Sequence, residues 1–292
     1  MTTLPRCRPD PRAAALVDAH RAVATRRSRL STWAPGALRE IVIIALCYTL
    51  YGVVRNAKSG HPASAYTHAH DIQRAEGTLH LGWEHAVNGF FSDHRGLAVI
   101  SGYYYATLHF ILTLVVLGWV FVRRRAAYAR LRTALAIICL VALACFYAWP
   151  LAPPRLVGGG YDDIIHRAHV WGSWGTGAVA SAGDQYAAMP SLHTAWSLWV
   201  GVTLVLLARR RWVRVLAALY PLTTMVVILG TANHWVLDLL AGFVVLGVGF
   251  LLQPPVSAAA ARVGAAARRV RLMRTPLPEH VGAQAAAASR PH

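Results

Sequence analysis

Charge is scarce in this chain. Only 14% of its 292 residues are charged, against about 25% in soluble domains, and that scarcity argues against a soluble protein. Acid is scarcer than base: 12 Asp and Glu stand against 29 Lys and Arg, for a formal charge of +17. Such an excess can point to nucleic acid. Here the basic residues avoid the apolar stretches and gather in particular loops, so no nucleic-acid partner is expected. Cysteine is also rare. Cys7, Cys47, Cys139 and Cys145 show neither zinc-site nor disulfide-framework spacing, and three of them lie inside apolar stretches as small hydrophobes. Residues 1–32 contain no leading apolar run and do not read as a cleavable signal peptide. No fixed-period repeat stands out.

Apolar residues are abundant, at 56% with a mean hydropathy of +0.41. A helix crosses the bilayer core with about 20 of them. Six segments approach that length: residues 37–54, 97–122, 133–149, 192–207, 212–229 and 235–252. The fourth reaches it only if it begins near Pro190. The expected fold is all-α: a polytopic bundle of six transmembrane helices over residues 33–255, with an interfacial helix. Residues 1–32 and 256–292, rich in Ala and Arg, are expected to be disordered cytoplasmic tails.

The loops orient the bundle. Arg123, Arg124, Arg125, Arg130 and Arg132 fall between the second and third segments, and Arg209, Arg210, Arg211 and Arg214 between the fourth and fifth. With the two tails, these regions hold 22 of the 29 basic residues. Six spans put all of them on one side, which is cytoplasmic by the positive-inside rule. The expected location is the plasma (inner) membrane, with both termini cytoplasmic. Arg155, His193 and His234 then reach the extracytoplasmic face. Between the first two segments lies a long outer loop, residues 55–96. In it Ile72, Ala75, Leu79, Trp83, Ala86 and Phe90 recur at helical spacing, while Arg74, Glu76, Glu84 and Asn88 fall elsewhere. Two readings fit: a helix lying in the interface, or one packed on the bundle.

The chemistry gathers at three helix ends. His234 and Asp238 are four residues apart and share a helix face. Asp238 can accept from one ring nitrogen and leave the other as an aimed lone pair; a purely structural hydrogen bond is the plainer alternative. Pro190-Ser191-Leu192-His193 reads as the first turn of a helix, with Pro190 where its missing N–H costs nothing. Free N–H groups and the positive dipole end there suit an anion, and His193 is placed to give a proton to a departing oxygen. A capping serine beside an interfacial histidine is its plainer alternative. Arg155 follows Pro153 and Pro154, which end the third helix, and arginine suits bidentate phosphate binding. Each piece alone is weak; three on one side favour a phosphoryl site.

These residues resemble the type 2 phosphatidic acid phosphatase superfamily. Its second motif, Pro-Ser-Gly-His, appears as Pro190-Ser191-Leu192-His193, and its third as His234 with Asp238. Leucine in place of glycine, together with Pro153-Pro154-Arg155-Leu156, is most similar to the branch holding inositol phosphorylceramide synthases and inositolphosphotransferases. The resemblance covers about residues 70–252. Two features depart from the family: no lysine lies near Arg155, and Gly230-Thr231-Ala232-Asn233 stand where an arginine usually precedes the third-motif histidine. The resemblance implies a metal-free, cofactor-free enzyme that cleaves a lipid-linked phosphate ester through a phosphohistidine. It implies that His234 attacks phosphorus, Asp238 orients it, His193 protonates the leaving oxygen, and Arg155 with backbone N–H groups near Ser191 holds the phosphoryl oxygens.

Water or an alcohol such as inositol is the implied acceptor. The alternatives are a simple lipid phosphate phosphohydrolase and a non-catalytic membrane transporter or scaffold. Asp162, Asp163, Asp184, Gln185 and Tyr186 lie in the loop joining Arg155 to the second motif, and Asp162, Gln185 and Tyr186 are candidates for binding acceptor or headgroup. His109, inside an apolar segment, is a further candidate, with a hydrogen-bonded core histidine as the alternative. His61, His68, His70 and Asp71 read as a polar outer loop rather than a metal site. Tyr103, Tyr104 and Tyr105 suit an interfacial belt.

Overall fold

The computed structural model describes residues 36–46, 49, 53, 62–167 and 186–274. The chain divides into two units, Met1–Val54 and Arg55–His292. In the first, residues 36–46 are helical (α1); the rest of the first expected span and the whole tail over residues 1–32 lie largely or wholly outside the described residues.

The described residues of the second unit are mostly helical and form no strand, only one isolated parallel bridge between Leu151 and Ala187. Its helices are α2 (Pro62–Leu79), α3 (Glu84–Asp93), α4 (Arg95–Tyr103), α5 (His109–Arg123), α6 (Arg125–Ala148), α7 (Pro154–Val157), α8 (Ile164–Arg167), α9 (Leu192–Leu207), α10 (Arg211–Gly230) and α11 (Val236–Arg274). A π turn, Tyr104–Leu108, joins α4 to α5. Among the described residues, four helical runs are long and apolar enough to cross a bilayer: Arg95–Arg123, Arg125–Ala148, Arg211–Gly230 and Val236–Ala267. Helix α9, at 16 residues, is shorter. These apolar helices mark a membrane protein.

Direction alternates along the bundle. Helix α5 ends and α6 begins at the arginine turn, where Arg124 leaves the helical region. Its guanidinium donates to the Leu207 carbonyl at 2.9 Å, which brings the end of α9 to the same pole as that turn. The opposite pole collects the C-termini of α6 and α10 and the N-termini of α9 and α11. Between the poles Trp199 is fully buried with Val120, Ile138 and Val200, and its indole N–H donates to the Leu131 carbonyl at 3.1 Å.

Small residues let the helices approach closely. A Cβ built on Gly242 of α11 would stand 2.9 Å from both the Ser191 carbonyl oxygen and Thr194 Cβ. Backbone and a β-branched side chain cannot both yield, so Gly242→Val is expected to destabilise the fold by about 1–3 kcal/mol. It should also push the start of α9 away from α11. An unchanged thermal midpoint in detergent would refute this packing.

Three sequence expectations need correction. Pro190 does not open α9: Ser191 is the N-cap, its hydroxyl accepts from the Thr194 N–H at 3.2 Å, and the helix starts at Leu192. A side-chain acceptor at the cap fixes the boundary one residue past the proline. Helix α11 runs on to Arg274, because an Ala- and Arg-rich stretch has high helix propensity, so residues 256–274 are no disordered tail; residues 275–292 lie outside the described residues. Finally, the expected interfacial helix is two helices. His80 takes the left-handed conformation (φ 56°), and Leu81 N–H reaches back to the Glu76 carbonyl at 2.9 Å, a left-handed stop that ends α2.

Burial on α2 and α3 runs against composition. Leu79, Trp83 and Phe90 are 57%, 60% and 57% exposed, while Glu76, Glu84 and Asn88 are 1%, 2% and 1% exposed. The polar side, apart from Arg74, packs inward, and most of the apolar stripe faces out. Asn88 shows why. Its side chain donates to the carbonyls of Gly230 and Asp162 and accepts from the Asp162 N–H, so it pins α3 to the end of α10 and to the loop beyond α7.

Candidate active site

The site forms where α9 and α11 begin. The Ser191 N–H donates to the Asp238 carbonyl at 3.1 Å, which joins the two first turns. Helix α10 ends at Gly230, and Ala232 turns the chain with φ 52°. His234 then lies just before α11, against the Ala188 carbonyl. Trp235 is fully buried, and its indole N–H donates to the Ala152 carbonyl at 2.9 Å, which ties the segment after α6 to the same place.

His234 is held by one ring nitrogen. Its Nδ1 lies 3.0 Å from the Ala188 carbonyl oxygen and 3.3 Å from Asp238 Oδ2. A carbonyl can only accept, so Nδ1 carries the hydrogen and Nε2 is the lone-pair nitrogen. Asp238 Oδ2 also accepts from the Trp235 N–H at 2.9 Å, and the carboxylate is fully buried. His234 Nε2 faces His193 Nδ1 at 3.3 Å. The two imidazoles, 41 residues apart in sequence, are immediate neighbours.

His193 sits in an aromatic slot. Tyr105 stacks on it with ring centroids 4.4 Å apart and planes 20° apart, and His109 lies 4.1 Å away on centroids. The π turn carries Tyr105, and His109 follows it directly as the first residue of α5. An extra residue in one turn redirects side chains, and such bulges occur often at functional sites. The Tyr105 carbonyl faces both imidazoles. His109 is buried, and its Nδ1 has no hydrogen-bond partner among the described residues.

Arg155 stands at the N-terminal end of α7. Its backbone N–H donates to the Ala232 carbonyl at 3.0 Å. Its Nε–H donates to Asn233 Oδ1 at 2.8 Å, and Nη1 donates to Asp163 Oδ2 at 3.2 Å. The residue before His234 therefore holds the guanidinium, and Asp163 partly balances its charge.

The other sequence candidates are placed as follows. Ser191 is fully buried and spends its hydroxyl on the cap of α9. Asp162 pairs with Arg167 and accepts from Ser92, and so braces the loop. The Tyr186 ring packs edge-on against Tyr66 at 6.0 Å, and burial raises its phenol above the usual value. Gln185 and Asp184 lie outside the described residues, as does His61. His68 donates from Nδ1 to the Pro150 carbonyl at 2.8 Å and stacks on Trp149.

Sequence reasoning missed four contributors. Tyr105 passed as a belt aromatic, and Asn233 as the gap left by an absent arginine. The Ala188 carbonyl carries no sequence signal. Glu76 gave one faint sign, an acid in a stripe otherwise reserved for solvent; its carboxylate accepts from the Leu237 N–H at 2.7 Å.

Residues 70–252 match a family model described as the PAP2 superfamily. Neither a curated protein nor a solved structure matches the chain.

Proposed function

The chain belongs to the PAP2 superfamily, and on that footing we propose that it is a membrane phosphatase or phosphotransferase that cleaves a lipid-linked phosphate ester through a phosphohistidine on His234. Membership supports a phosphatase-type enzyme; the residue roles, the mechanism and the orientation are this proposal's own. One observation carries it. The Ala188 carbonyl and Asp238 hold His234 Nδ1, which leaves Nε2 as a buried, oriented lone pair opposite a second imidazole.

The reaction has two halves. His234 Nε2 attacks phosphorus, the bond from phosphorus to the lipid oxygen breaks, and His193 gives that oxygen a proton. Asp238 stabilises the positive charge that the phosphorylated ring acquires. Water or an alcohol then attacks phosphorus, returns a proton to His193, and releases the group from Nε2. Nitrogens 3.3 Å apart leave no room for a phosphoryl group, so substrate entry separates the rings. Arg155 and the N–H groups at the start of α9 hold the phosphoryl oxygens, so catalysis rests on positioning and charge.

The positive-inside rule places the arginine turns in the cytoplasm and the histidine pole outside it, with six spans counting the first unit and α9. Leu192 and the Pro153-Pro154-Arg155 turn favour an alcohol acceptor such as inositol over water. The purified protein is to be incubated with radiophosphorus-labelled phosphatidic acid, with and without inositol. Labelled inorganic phosphate in both arms would identify a hydrolase. Labelled inositol monophosphate in the inositol arm would identify a transferase. No turnover of this or a wider lipid phosphate panel would leave a scaffold and refute the proposal.

A further inference from the structure

Two glutamates meet in the wall behind His234 and Asp238. Glu76, on the last turn of α2, and Glu84, at the start of α3, are both almost fully buried. Glu76 Oε1 accepts the Leu237 N–H at 2.7 Å, and Glu84 Oε1 accepts from the Tyr161 hydroxyl at 2.9 Å. The two Oε2 atoms have no hydrogen-bond partner among the described residues, and the Glu84 carboxyl neighbours that of Glu76. Two buried carboxylates without a cation repel and resist desolvation. One proton shared by the two carboxyls relieves that repulsion.

The groups facing this pair are few. Glu84 comes from α3, Tyr161 from the loop beyond Gly160, and Asp238 from α11. His85 packs edge-on against Tyr161 at 5.1 Å. Burial, first, and then the neighbouring carboxylates push Glu76 up to about 8. Burial and Glu84 raise Tyr161, which therefore stays a phenol and a donor.

We propose that Glu76 is a positioning residue for the phosphoryl reaction, which holds the first turn of α11, and through it Asp238 and His234, by a carboxyl that shares one proton with Glu84. This rests on the functional reading given above. Leu237 lies between His234 and Asp238, so a hydrogen bond to its N–H fixes the turn that carries both. Loss of the shared proton sets a second negative charge against Glu84 and beside Asp238, and the wall must open. The arrangement therefore works in its protonated form.

The test compares Glu76→Gln and Glu76→Ala with the parent chain on labelled phosphatidic acid across pH. Glutamine reproduces the protonated carboxyl: its oxygen accepts from Leu237 and its amide donates to Glu84. The parent is expected to lose rate as pH rises through about 8, and Glu76→Gln is expected to keep the parent's kcat within about threefold and to lack that fall. Glu76→Ala is expected to lose kcat by roughly 10- to 100-fold, as for groups that orient a reacting ligand, with KM little changed.

Thermal midpoints read the proton without turnover. Folded protein holds it between the ordinary value of 4.5 and about 8, where the unfolded chain does not. Its contribution to stability is therefore full below 4.5 and is lost as pH rises to 8. The parent should lose stability over that window relative to Glu76→Gln. Equal losses of kcat in the two variants, or an alkaline fall unmoved by glutamine, overturn the positioning role alone. An inactive parent overturns the functional reading and this role with it.

Discussion

His234→Ala is expected to abolish phosphate release, by roughly 10⁴-fold or more, as removal of a nucleophile does elsewhere. The structure offers no stand-in. His193 is the only other imidazole at hydrogen-bonding distance among the described residues, and it lacks a carboxylate behind it. The same substitution should erase a covalent intermediate: denatured parent protein, quenched during turnover, should carry acid-labile, base-stable label, and the variant none. Asp238→Asn should cost far less, about 10- to 100-fold. Where a carboxylate is the sole acceptor for a catalytic histidine, its loss releases the wrong tautomer. Here the Ala188 carbonyl, 3.0 Å from Nδ1, still demands the hydrogen on that nitrogen. What disappears is the negative charge behind a phosphorylated, positive ring. Retention of more than a tenth of the rate in His234→Ala would refute the nucleophile, and an Asp238→Asn loss equal to that of His234→Ala would refute the carbonyl's part.

The long apolar runs were legible because membrane helices need length and composition alone. Helix α10 lies within one residue of its expected segment at both ends, and α6 ends within one residue of its own before Pro150 but starts eight residues earlier, at Arg125. The pairing of His234 with Asp238 was legible from spacing, although the two share no helix face: α11 starts at Val236, and His234 meets Asp238 from the segment just before it. Contacts that depend on backbone atoms were not. No residue type announces that the carbonyl of Ala188 meets Nδ1, or that the carbonyl of Asp238 receives the Ser191 N–H. The burial of Glu76, Glu84 and Asn88 reverses the usual sorting of polar residues outward. In a bilayer the outward surface is itself apolar, so polar side chains turn inward to find partners. A stripe such as Leu79, Trp83 and Phe90 is then exposed rather than packed in the core. The π turn was also hidden: nothing in Tyr103-Tyr104-Tyr105 distinguishes a belt from a bulge that delivers Tyr105 and His109 to His193.

His193→Ala is expected to separate substrates by their leaving groups. A lipid alkoxide departs poorly without a proton, so the variant should turn over phosphatidic acid roughly 10²- to 10⁴-fold more slowly than the parent, the usual span for a lost general acid. An aryl phosphate that releases a stabilised phenolate needs no proton, and its loss should stay within about tenfold. The contrast is informative because His193 has three contacts to lose. It stacks on Tyr105, packs against His109 and faces His234 Nε2. If its role were only to brace His234, both substrates would fall together, since attack on phosphorus precedes any difference between leaving groups. Tyr105→Leu separates bracing from proton transfer in the opposite sense: it removes the stack, leaves the imidazole, and should lower both rates by the same modest factor. Equal losses for the two substrates in His193→Ala would assign the ring to scaffolding and leave the departing oxygen in need of another acid, for which His109 would be the nearest imidazole.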